Sequence, residues 1–412
     1  MKRICIIGGG PAGMMSAAIA AQNQQVDVML LEKNGILGKK LLITGKGRCN
    51  ITNYADNRTI IKNFPGNGKF LYSALDNLDS YNLIKFLEAN GLKAKIERGN
   101  RVFPVSDKSS DVVKTFEKIL KNRGVKVILN TKVLNVLKDR NKIKGIKTTK
   151  ELIKCDVIII ATGGLAYPAT GSTGDGYRFA LNLGHTVVEP KPSLVPLETE
   201  EKWVEDLQGL ALKNVTASLY IDETLSETGF GEMLFTHFGV SGPIIISLSR
   251  KAVEALKLSK SVVLKIDLKP ALDFDTLDRR ICRDFDTHAS KILKNALKDL
   301  LPKKLIPIVI NLAELDPRKV VNQITRKERL RLLKTVKGIP LTIIRPRPWE
   351  EAIITNGGIN VKEIDPRTME SKLIKNLFFA GEVIDIDGYT GGFNLQAAFS
   401  TGFTAGMYAS TL

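Results

Sequence analysis

The sequence predicts an α/β fold in which a Rossmann-like dinucleotide-binding domain is assembled from both chain ends and interrupted by β-rich and basic helical inserts. Three observations lead to this prediction. An apolar strand, a glycine-rich turn and a helix follow one another at the amino terminus, and two further apolar strands end in glycines at 155–176 and 377–402. Between 191 and 340 the sequence instead shows alternating apolar and polar residues, typical of β-strands, followed by a basic helical stretch.

The first of these segments has the spacing of a dinucleotide-binding turn. Residues 4–7 form a short apolar strand, and Gly8, Gly10 and Gly13 follow it with the spacing G-x-G-x-x-G. The first glycine permits the tight turn, the second lets the backbone approach a pyrophosphate, and the third lets the helix pack closely on the strand. The strand before the turn and the helix after it make this motif more specific than its three glycines alone.

The second apolar strand, 26–31, ends on an acid. Glu32 stands about 20 residues after the last glycine, where a carboxylate can bind both ribose hydroxyls of a dinucleotide. The helix that starts at Pro11 presents the free amides of its first turn, from Ala12 onward, to the phosphates. Because an acid at this position repels a 2′-phosphate, the site is not expected to hold NADP.

The later segments supply the rest of the same sheet edge. "CDVIIIATGG" (155–164) is an apolar strand that ends in Thr162 and two glycines. The strand at 377–380 delivers Gly381, Glu382 and Asp385 to the carboxyl edge, where ligands bind in open α/β sheets. Acids there can hydrogen-bond a ribityl chain, and the helix that begins after the glycine pair at 391–392 can direct its amides at a flavin.

Four stretches, "TGKGRCNITN", "ATGGLAYPATGSTGDGY", "FTHFGVSGP" and "FFAGEVIDIDGYTGGFNLQAAFSTG", occur in this order and together resemble the BaiN/RdsA family of FAD-dependent oxidoreductases. The similarity extends over essentially the whole chain. The resemblance implies FAD as cofactor and a FAD-binding domain in two parts, 1–190 and 341–412. It also implies a β-barrel-like insert at 191–273 and a small helical insert at 274–340.

The predicted cofactor contacts come from these motifs. They are Gly8, Gly10, Pro11, Ala12, Gly13, Glu32, Lys33, Gly45, Gly47, Arg48, Asn50, Thr162, Gly163, Gly381, Glu382, Asp385, Gly392, Asn394 and Leu395.

The glycine-rich loop at 41–53 also carries candidate catalytic groups. Arg48 could stabilise a flavin anion or bind a substrate phosphate. Cys49 is a candidate general acid, and its alternative is a small buried residue that lines the flavin site. His237 is a second candidate proton donor, and its alternative is a side chain that fixes a turn by hydrogen bonds. No cysteine or histidine spacing in the chain indicates a metal site.

Positive charge is concentrated in the inserted part of the chain. The 412 residues carry a formal net charge of +18, and residues 250–340 hold 22 Lys and Arg against 11 Asp and Glu. A concentrated excess of cations favours a polyanionic partner, although solvated helix faces would give the same composition. We find no apolar run long enough to cross a membrane and expect a cytoplasmic protein.

Members of the resembled family reduce a uridine of large-subunit ribosomal RNA to dihydrouridine, reduce steroid-like enones, or oxidise small amines. The basic 250–340 region favours ribosomal RNA as partner, with NADH or NADPH as a transient reductant because no second dinucleotide-binding turn is present. The alternatives are a small-molecule oxidoreductase, either an enone reductase or an amine oxidase, and a non-catalytic flavoprotein that binds RNA. The sequence predicts no oligomeric state.

Overall fold

A computed structural model describes all 412 residues and divides the chain into two compact units. One unit comprises Met1–Pro192 and Trp349–Leu412, and the other comprises Ser193–Pro348. We call them the sheet unit and the barrel unit. The sequence predicted the ends of the insert at 191 and 340.

Strands and α-helices are numbered separately in chain order. The strands are β1 (Lys2–Ile7), β2 (Val26–Leu31), β3 (Thr52–Asn53), β4 (Ala94–Glu97), β5 (Arg101–Pro104), β6 (Lys126–Ile128), β7 (Val133–Asp139), β8 (Lys142–Thr148), β9 (Leu152–Lys154), β10 (Val157–Ile160), β11 (Val187–Ser193), β12 (Leu197–Thr199), β13 (Ala211–Ile221), β14 (Thr224–Thr236), β15 (Gly239–Ser241), β16 (Val262–Asp267), β17 (Ile339–Pro346), β18 (Ile354–Ile359) and β19 (Leu377–Phe379). The α-helices are α1 (Pro11–Ala20), α2 (Lys39–Ile43), α3 (Asn57–Lys62), α4 (Tyr72–Asn77), α5 (Ser80–Ala89), α6 (Ser109–Asn122), α7 (Asp175–Leu183), α8 (Pro243–Lys257), α9 (Phe274–Thr287), α10 (Leu293–Ala296), α11 (Ile306–Leu312), α12 (Arg326–Lys337) and α13 (Phe393–Ala409).

A five-stranded parallel sheet, ordered β19-β10-β1-β2-β6, is the centre of the sheet unit. Ile6 of β1 lies beside Ile159 of β10 on one side and Leu30 of β2 on the other. All three side chains are fully buried, as expected for a parallel sheet covered on both faces. The fold class predicted from the sequence is therefore confirmed, and strands from both chain ends place their carboxyl ends on one edge.

Two glycines of α13 hold that helix against α1. A Cβ at Gly402 would lie 2.4 Å from the carbonyl oxygen of Ala12, and one at Gly406 would lie 2.4 Å from that of Ser16. The Ser16 hydroxyl donates to the Gly402 carbonyl at 2.9 Å. Because any side chain at these glycines would collide with backbone, the two helices can be this close only with glycine at the contact.

The barrel unit is built on a closed six-stranded barrel, ordered β12-β15-β14-β13-β16-β17. All of its strand pairs are antiparallel. The helices α9–α12 are inserted before the last strand, and their buried Leu277 and Leu333 belong to the same hydrophobic core as Leu264 of the barrel. The β-rich and helical inserts therefore share one core.

Helix α12 begins with a reciprocal cap that the sequence pattern did not single out. The Thr325 hydroxyl accepts the Glu328 N–H, and the Glu328 carboxylate accepts the Thr325 N–H. Lys319 also binds this carboxylate, at 2.8 Å, and these contacts lower the pKa of Glu328 to about 2. On this helix Leu332 and Leu333 are buried, whereas Leu330 is 39% exposed.

A buried hydrogen-bonded group connects the end of α7 with the segment before β19. His185 places Nδ1 3.0 Å from the Glu363 carboxylate and Nε2 2.8 Å from the Ser371 hydroxyl. That hydroxyl already accepts the N–H groups of Leu373 and Ile374, so its own proton is left for Nε2. The imidazole is therefore neutral, with its proton on Nδ1, and burial lowers the pKa of His185 despite the nearby carboxylate.

This arrangement predicts a loss of stability on mild acidification. Below pH 6.5 the unfolded histidine takes up a proton, while the folded one, with its lowered pKa, does not. The free energy of unfolding should therefore fall as the pH falls below that value, by up to about 1.4 kcal/mol per pH unit. Urea unfolding of the wild type and of His185→Gln between about pH 7.5 and 5.5 measures this contribution.

His185→Gln keeps a hydrogen-bonding side chain but cannot titrate, so part of the pH dependence should disappear. Equal pH slopes for both proteins would contradict the assignment of a neutral, pH-sensitive His185. The Glu363 carboxylate, whose pKa is lowered, loses its own contribution only at more acidic pH and does not interfere in this range.

Candidate active site

The turn between β1 and α1 brings three backbone segments into close contact. Gly8 has φ +110°, and a Cβ there would lie 2.4 Å from the Ala161 carbonyl oxygen. A Cβ at Gly13 would lie 1.8 Å from the Gly8 carbonyl oxygen, whereas nothing lies within 4 Å of a Cβ position at Gly10. Gly8 and Gly13 thus pack against backbone atoms, whereas the space beside Gly10 is unoccupied by protein.

No side chain caps the amino terminus of α1, whose N-cap is Gly10 and whose first residue is Pro11. The amides of this first turn therefore have no intrahelical acceptor, and the helix dipole adds a partial positive charge. Ala12 is held in place by Gly381, where a Cβ would be 2.8 Å from the alanine Cβ. An open glycine beside uncapped amides is the geometry that a pyrophosphate requires.

Glu32 is fixed beside the glycine turn. One carboxylate oxygen accepts the Gly9 N–H at 2.7 Å, and the other accepts the backbone and side-chain N–H groups of Asn34 at 2.8 and 2.7 Å. The residue is 9% exposed and forms no ion pair. Lys33 donates instead to Asp175 at 2.7 Å, so this predicted cofactor contact has a protein partner.

The strand β10 delivers a second group of small residues to the same edge. Thr162 follows it, and its hydroxyl is buried without a hydrogen-bond partner. Gly163 has φ +72°, and Gly176 in α7 leaves space that a Cβ would fill at 2.2 Å from the Thr162 hydroxyl. The threonine hydroxyl is therefore available to a bound ligand.

The third segment follows β19 and places Glu382 in a polar cluster. The sequence predicted Glu382 but not its partners Lys40 and Thr355. The Glu382 carboxylate pairs with Lys40 at 2.8 Å and accepts the Thr355 N–H at 2.9 Å. Thr355 in turn accepts the N–H groups of Leu165 and Ala166. Lys40 lies in the motif "GKK" just before the glycine-rich loop. This proximity in sequence could have identified Lys40 as a residue of the site.

The segment leading to α13 is organised by amide side chains. Asn67 donates to the carboxylate of Asp385 at 2.9 Å, and Asn394 accepts the Gly388 N–H and donates to the Gly388 carbonyl. Asn394 therefore holds the turn, while Leu395 packs partly buried on the core. The N-cap of α13 is Gly392, at φ +98°, and no side chain caps the helix.

The glycine-rich loop has a left-handed backbone at four of five consecutive residues. Gly45, Lys46, Gly47 and Cys49 all have positive φ. A Cβ at Gly45 would lie 3.1 Å from the backbone nitrogen of Asn50, whereas the Gly47 position is open. The Asn50 side-chain oxygen is buried and has no partner, which makes it a second polar atom available to a ligand.

Arg48 does not present a free guanidinium. It donates to Asp107 at 2.8 Å and to Glu97 at 3.2 Å, and its guanidinium carbon lies 4.1 Å from the centre of the Phe103 ring. The two carboxylates raise the pKa of Arg48. This geometry gives Arg48 the role of fixing the loop against β4 and β5, and leaves no free group for the predicted phosphate or flavin anion.

Cys49 is fully buried among apolar side chains. Burial raises the pKa of its thiol to about 12, although a hydrogen bond to Thr44 opposes the shift. An enclosed thiol of this kind has neither the access nor the acidity of a good proton donor. The geometry favours the structural alternative for this residue.

His237 lies in the barrel unit, at the turn between β14 and β15, and its side chain is exposed. Its ring is 5.0 Å from that of Phe238, and the Arg347 guanidinium lies 4.2 Å from the centre of the same Phe238 ring. No hydrogen bond ties the imidazole to the turn, so it is accessible in a way that Cys49 is not.

The residues of the sheet unit fit FAD. Two uncapped helix starts, an open glycine, an acid without a counter-cation and the partnerless Thr162 and Asn50 oxygens lie along the edge predicted to bind it. Glu32 would hold the ribose, the α1 amides the pyrophosphate, and the α13 amides the flavin ring. When bound, FAD would supply hydride-transfer chemistry.

Comparison with known proteins identifies the family to which the chain is similar. A family model described as the HI0933-like protein Rossmann domain matches residues 2–408. The chain is 31% identical over 415 residues to a 3-dehydro-bile acid delta(4,6)-reductase of Clostridium scindens, covering 100% of this chain and 99% of that protein. It is 29% identical over 398 residues to a ribosomal RNA dihydrouridine synthase of Escherichia coli, covering 96% and 95%.

Among solved structures, a 3-ketosteroid delta1-dehydrogenase of Sterolibacterium denitrificans, in complex with 1,4-androstadiene-3,17-dione, has a similar fold. The TM-score is 0.54 at 12% identity, and the match covers 100% of both chains. In the structure of the present chain, no helix combines the length and the apolar character that crossing a bilayer would need.

Removal of the Glu32 carboxylate tests the position of the cofactor. Glu32→Ala should raise the Kd for FAD by about 10- to 100-fold, because charge-assisted hydrogen bonds to the ribose are lost. Fluorescence titration of the apoprotein with FAD measures the effect, together with flavin absorbance after gel filtration. Glu117→Ala, an exposed acid on α6, is the matched control. An unchanged Kd would place the ribose elsewhere.

Proposed function

Since the chain belongs to the HI0933-like Rossmann-domain family of FAD-dependent oxidoreductases, we propose that it reduces a uridine of large-subunit ribosomal RNA to dihydrouridine. NADH or NADPH is the proposed electron donor. Glu32 and the amino termini of α1 and α13 would hold FAD, which when bound would supply the hydride for carbon 6 of the uracil ring, and a protein group would give a proton to carbon 5.

The observation that carries the RNA substrate is the distribution of unpaired cations in the helical part of the barrel unit. Its acids Asp278, Glu314 and Glu328 are each paired with a basic residue of the same unit. A larger set of exposed cations forms no ion pair and comprises Lys294, Lys298, Lys303, Arg318, Arg326, Lys327 and Lys334. Phosphate contacts from such side chains supply most of the affinity of a protein for RNA.

The two candidates for the proton donor differ in burial. The Cys49 thiol is enclosed and its pKa is raised, whereas the imidazole of His237 is exposed. We keep His237, named from its sequence motif, as the proposed proton donor and take Cys49 as a structural residue.

A small-molecule enone is the second candidate substrate, and the 31% identical bile acid reductase is the observation that favours it. The 5,6 double bond of uracil is conjugated to a carbonyl group, as is the double bond of a steroid enone. The same hydride and proton transfers would reduce both. The exposed cations of the helical part would then have no role in the reaction.

The ribosomal RNA substrate predicts a modified base in cells. Expression of this chain in an Escherichia coli strain that lacks its own ribosomal RNA dihydrouridine synthase should restore dihydrouridine in large-subunit RNA. Mass spectrometry of nuclease digests measures the restored base. Glu32→Ala is the cofactor-deficient control and should restore much less.

Purified enzyme with deproteinised ribosomal RNA and with a steroid enone distinguishes the two substrates. Reduction of the enone alone, with no dihydrouridine in cells or in the purified reaction, would reject the RNA substrate and leave the small-molecule reductase.

The two proton-donor candidates predict opposite mutational results. His237→Gln should lower turnover by about 100-fold or more with FAD binding unchanged, because a general acid contributes roughly that factor. Cys49→Ala should keep turnover within about twofold and lower the free energy of unfolding by about 1–2 kcal/mol, since it leaves a small cavity. Single-turnover reoxidation of the reduced enzyme and urea unfolding measure the two effects.

His288→Gln, which changes a histidine paired with Asp299 in the same unit, is the control for His237. Loss of turnover in Cys49→Ala with stability and FAD content intact would reverse the assignment and make the thiol the donor.

A further inference from the structure

Two tyrosines form an exposed aromatic pair in the sheet unit. The rings of Tyr54 and Tyr81 meet edge to face with their centres 4.7 Å apart. Tyr54 is 42% exposed and Tyr81 is 37% exposed, so the pair is open to solvent and does not belong to the core. Rigid, partly exposed aromatic rings are typical of surfaces that bind other planar groups.

The pair lies close to the amino terminus of α13, where the flavin ring is proposed to bind. The Asn53 side chain donates both to the Gly391 carbonyl at 3.1 Å and to the Gly99 carbonyl at 3.0 Å. A Cβ at Gly392 would lie 2.4 Å from the backbone of Thr52. Since Tyr54 directly follows this contact in the chain, its position is fixed relative to the α13 terminus.

The turn between β4 and β5 adds two cations to the same place. The Tyr54 N–H donates to the Asn100 carbonyl at 2.7 Å, and Arg101 lies opposite Asn53 in the β3–β5 register. Arg98 and Arg101 are exposed and form no ion pair. The turn next to Tyr54 therefore carries two exposed arginines, and the Arg101 guanidinium also donates to the Arg98 carbonyl at 3.0 Å.

Glu97 and Asp107, the acids nearest to this turn in the sequence, are both held by other cations. Arg48 binds both carboxylates, and Lys95 lies 3.6 Å from Glu97 and 2.6 Å from Asp107. These contacts lower the pKa of both acids and keep them ionised. Arg98 is thereby left without a counter-ion, and Arg48 acts as a positioning residue for the turn.

We propose that Tyr54, Tyr81, Arg98 and Arg101, which we call the tyrosine–arginine rim, bind the single-stranded RNA next to the uridine that is reduced. The inference rests on the proposed function and deepens it by naming a contact surface beside the flavin. The tyrosine rings would stack on bases flanking the target, and the two arginines would bind their phosphates.

Charge complementarity favours RNA over a steroid as the occupant of the rim. A uridine inside ribosomal RNA must be unstacked to reach a flavin, and the bases beside it then need new stacking partners. Exposed aromatic rings and arginines without an ion-pair partner supply stacking and phosphate binding together, whereas a steroid offers no phosphate to pair with the arginines.

Binding of the purified FAD-loaded enzyme to a fluorescently labelled single-stranded oligouridylate tests the rim by anisotropy. Tyr54→Ala should weaken binding by about 10-fold, and Tyr54→Phe, which keeps the ring, should stay within about twofold of the wild type. Arg98→Ala combined with Arg101→Ala should weaken binding and reduce its dependence on salt concentration. Lys126→Ala, an exposed cation at the start of β6 on the opposite sheet edge, should bind as the wild type does.

Flavin absorbance of each variant establishes that it is folded and loaded. If the wild type binds oligouridylate and forms dihydrouridine, but Tyr54→Ala and the double arginine variant do so equally well, the rim inference is wrong and the proposed function stands. If the wild type neither binds RNA nor forms dihydrouridine, the proposed function fails and the RNA-binding rim fails with it. If Tyr54→Ala instead abolishes self-association in analytical ultracentrifugation with RNA binding intact, the rim is a protein interface.

Discussion

Backbone contacts at three glycines hold together the edge of the sheet where the cofactor is proposed to bind. Gly8 lies against the carbonyl of Ala161, Gly13 against the carbonyl of Gly8, and Gly402 against the carbonyl of Ala12. Each contact is closer than any side chain would allow, so β1, β10, α1 and α13 meet only because these positions lack a Cβ. Segments from both chain ends thus meet on one edge.

The polar groups of the site depend on that edge. Glu32 is held by the Gly9 amide, which the turn presents to it. Thr162 follows β10 and Asn50 lies in the glycine-rich loop, and the side-chain oxygens of both are buried without a partner. Burying such oxygens without a partner is costly unless a ligand supplies one. The contacts that close the fold therefore also create the polar positions that a dinucleotide would satisfy.

The glycine-rich loop has a different role from the one its composition suggested. Arginine, cysteine and asparagine in tandem predicted direct chemistry at the flavin. In the structure, Arg48 is bound by Glu97 and Asp107, and Cys49 is enclosed in the core. The loop instead fixes β4 and β5, whose turn carries the exposed Arg98 and Arg101 next to Tyr54. The loop would thus affect substrate binding indirectly, by positioning β4, β5 and the turn between them.

Local sequence patterns were sufficient for the α/β class, the glycine turn and the acid at the end of β2, because each depends on residues adjacent in the chain. The family resemblance added the barrel-like insert, which the structure closes with β17 after the helices. Tertiary structure alone decided which polar groups are free, since Glu97 and Asp107 lie 49 and 59 residues from the Arg48 that they bind. It also brought Tyr54 beside Tyr81 and Asn53 into a hydrogen bond with Gly391. The residues of each pair are far apart in the sequence, so no local pattern could predict that they meet.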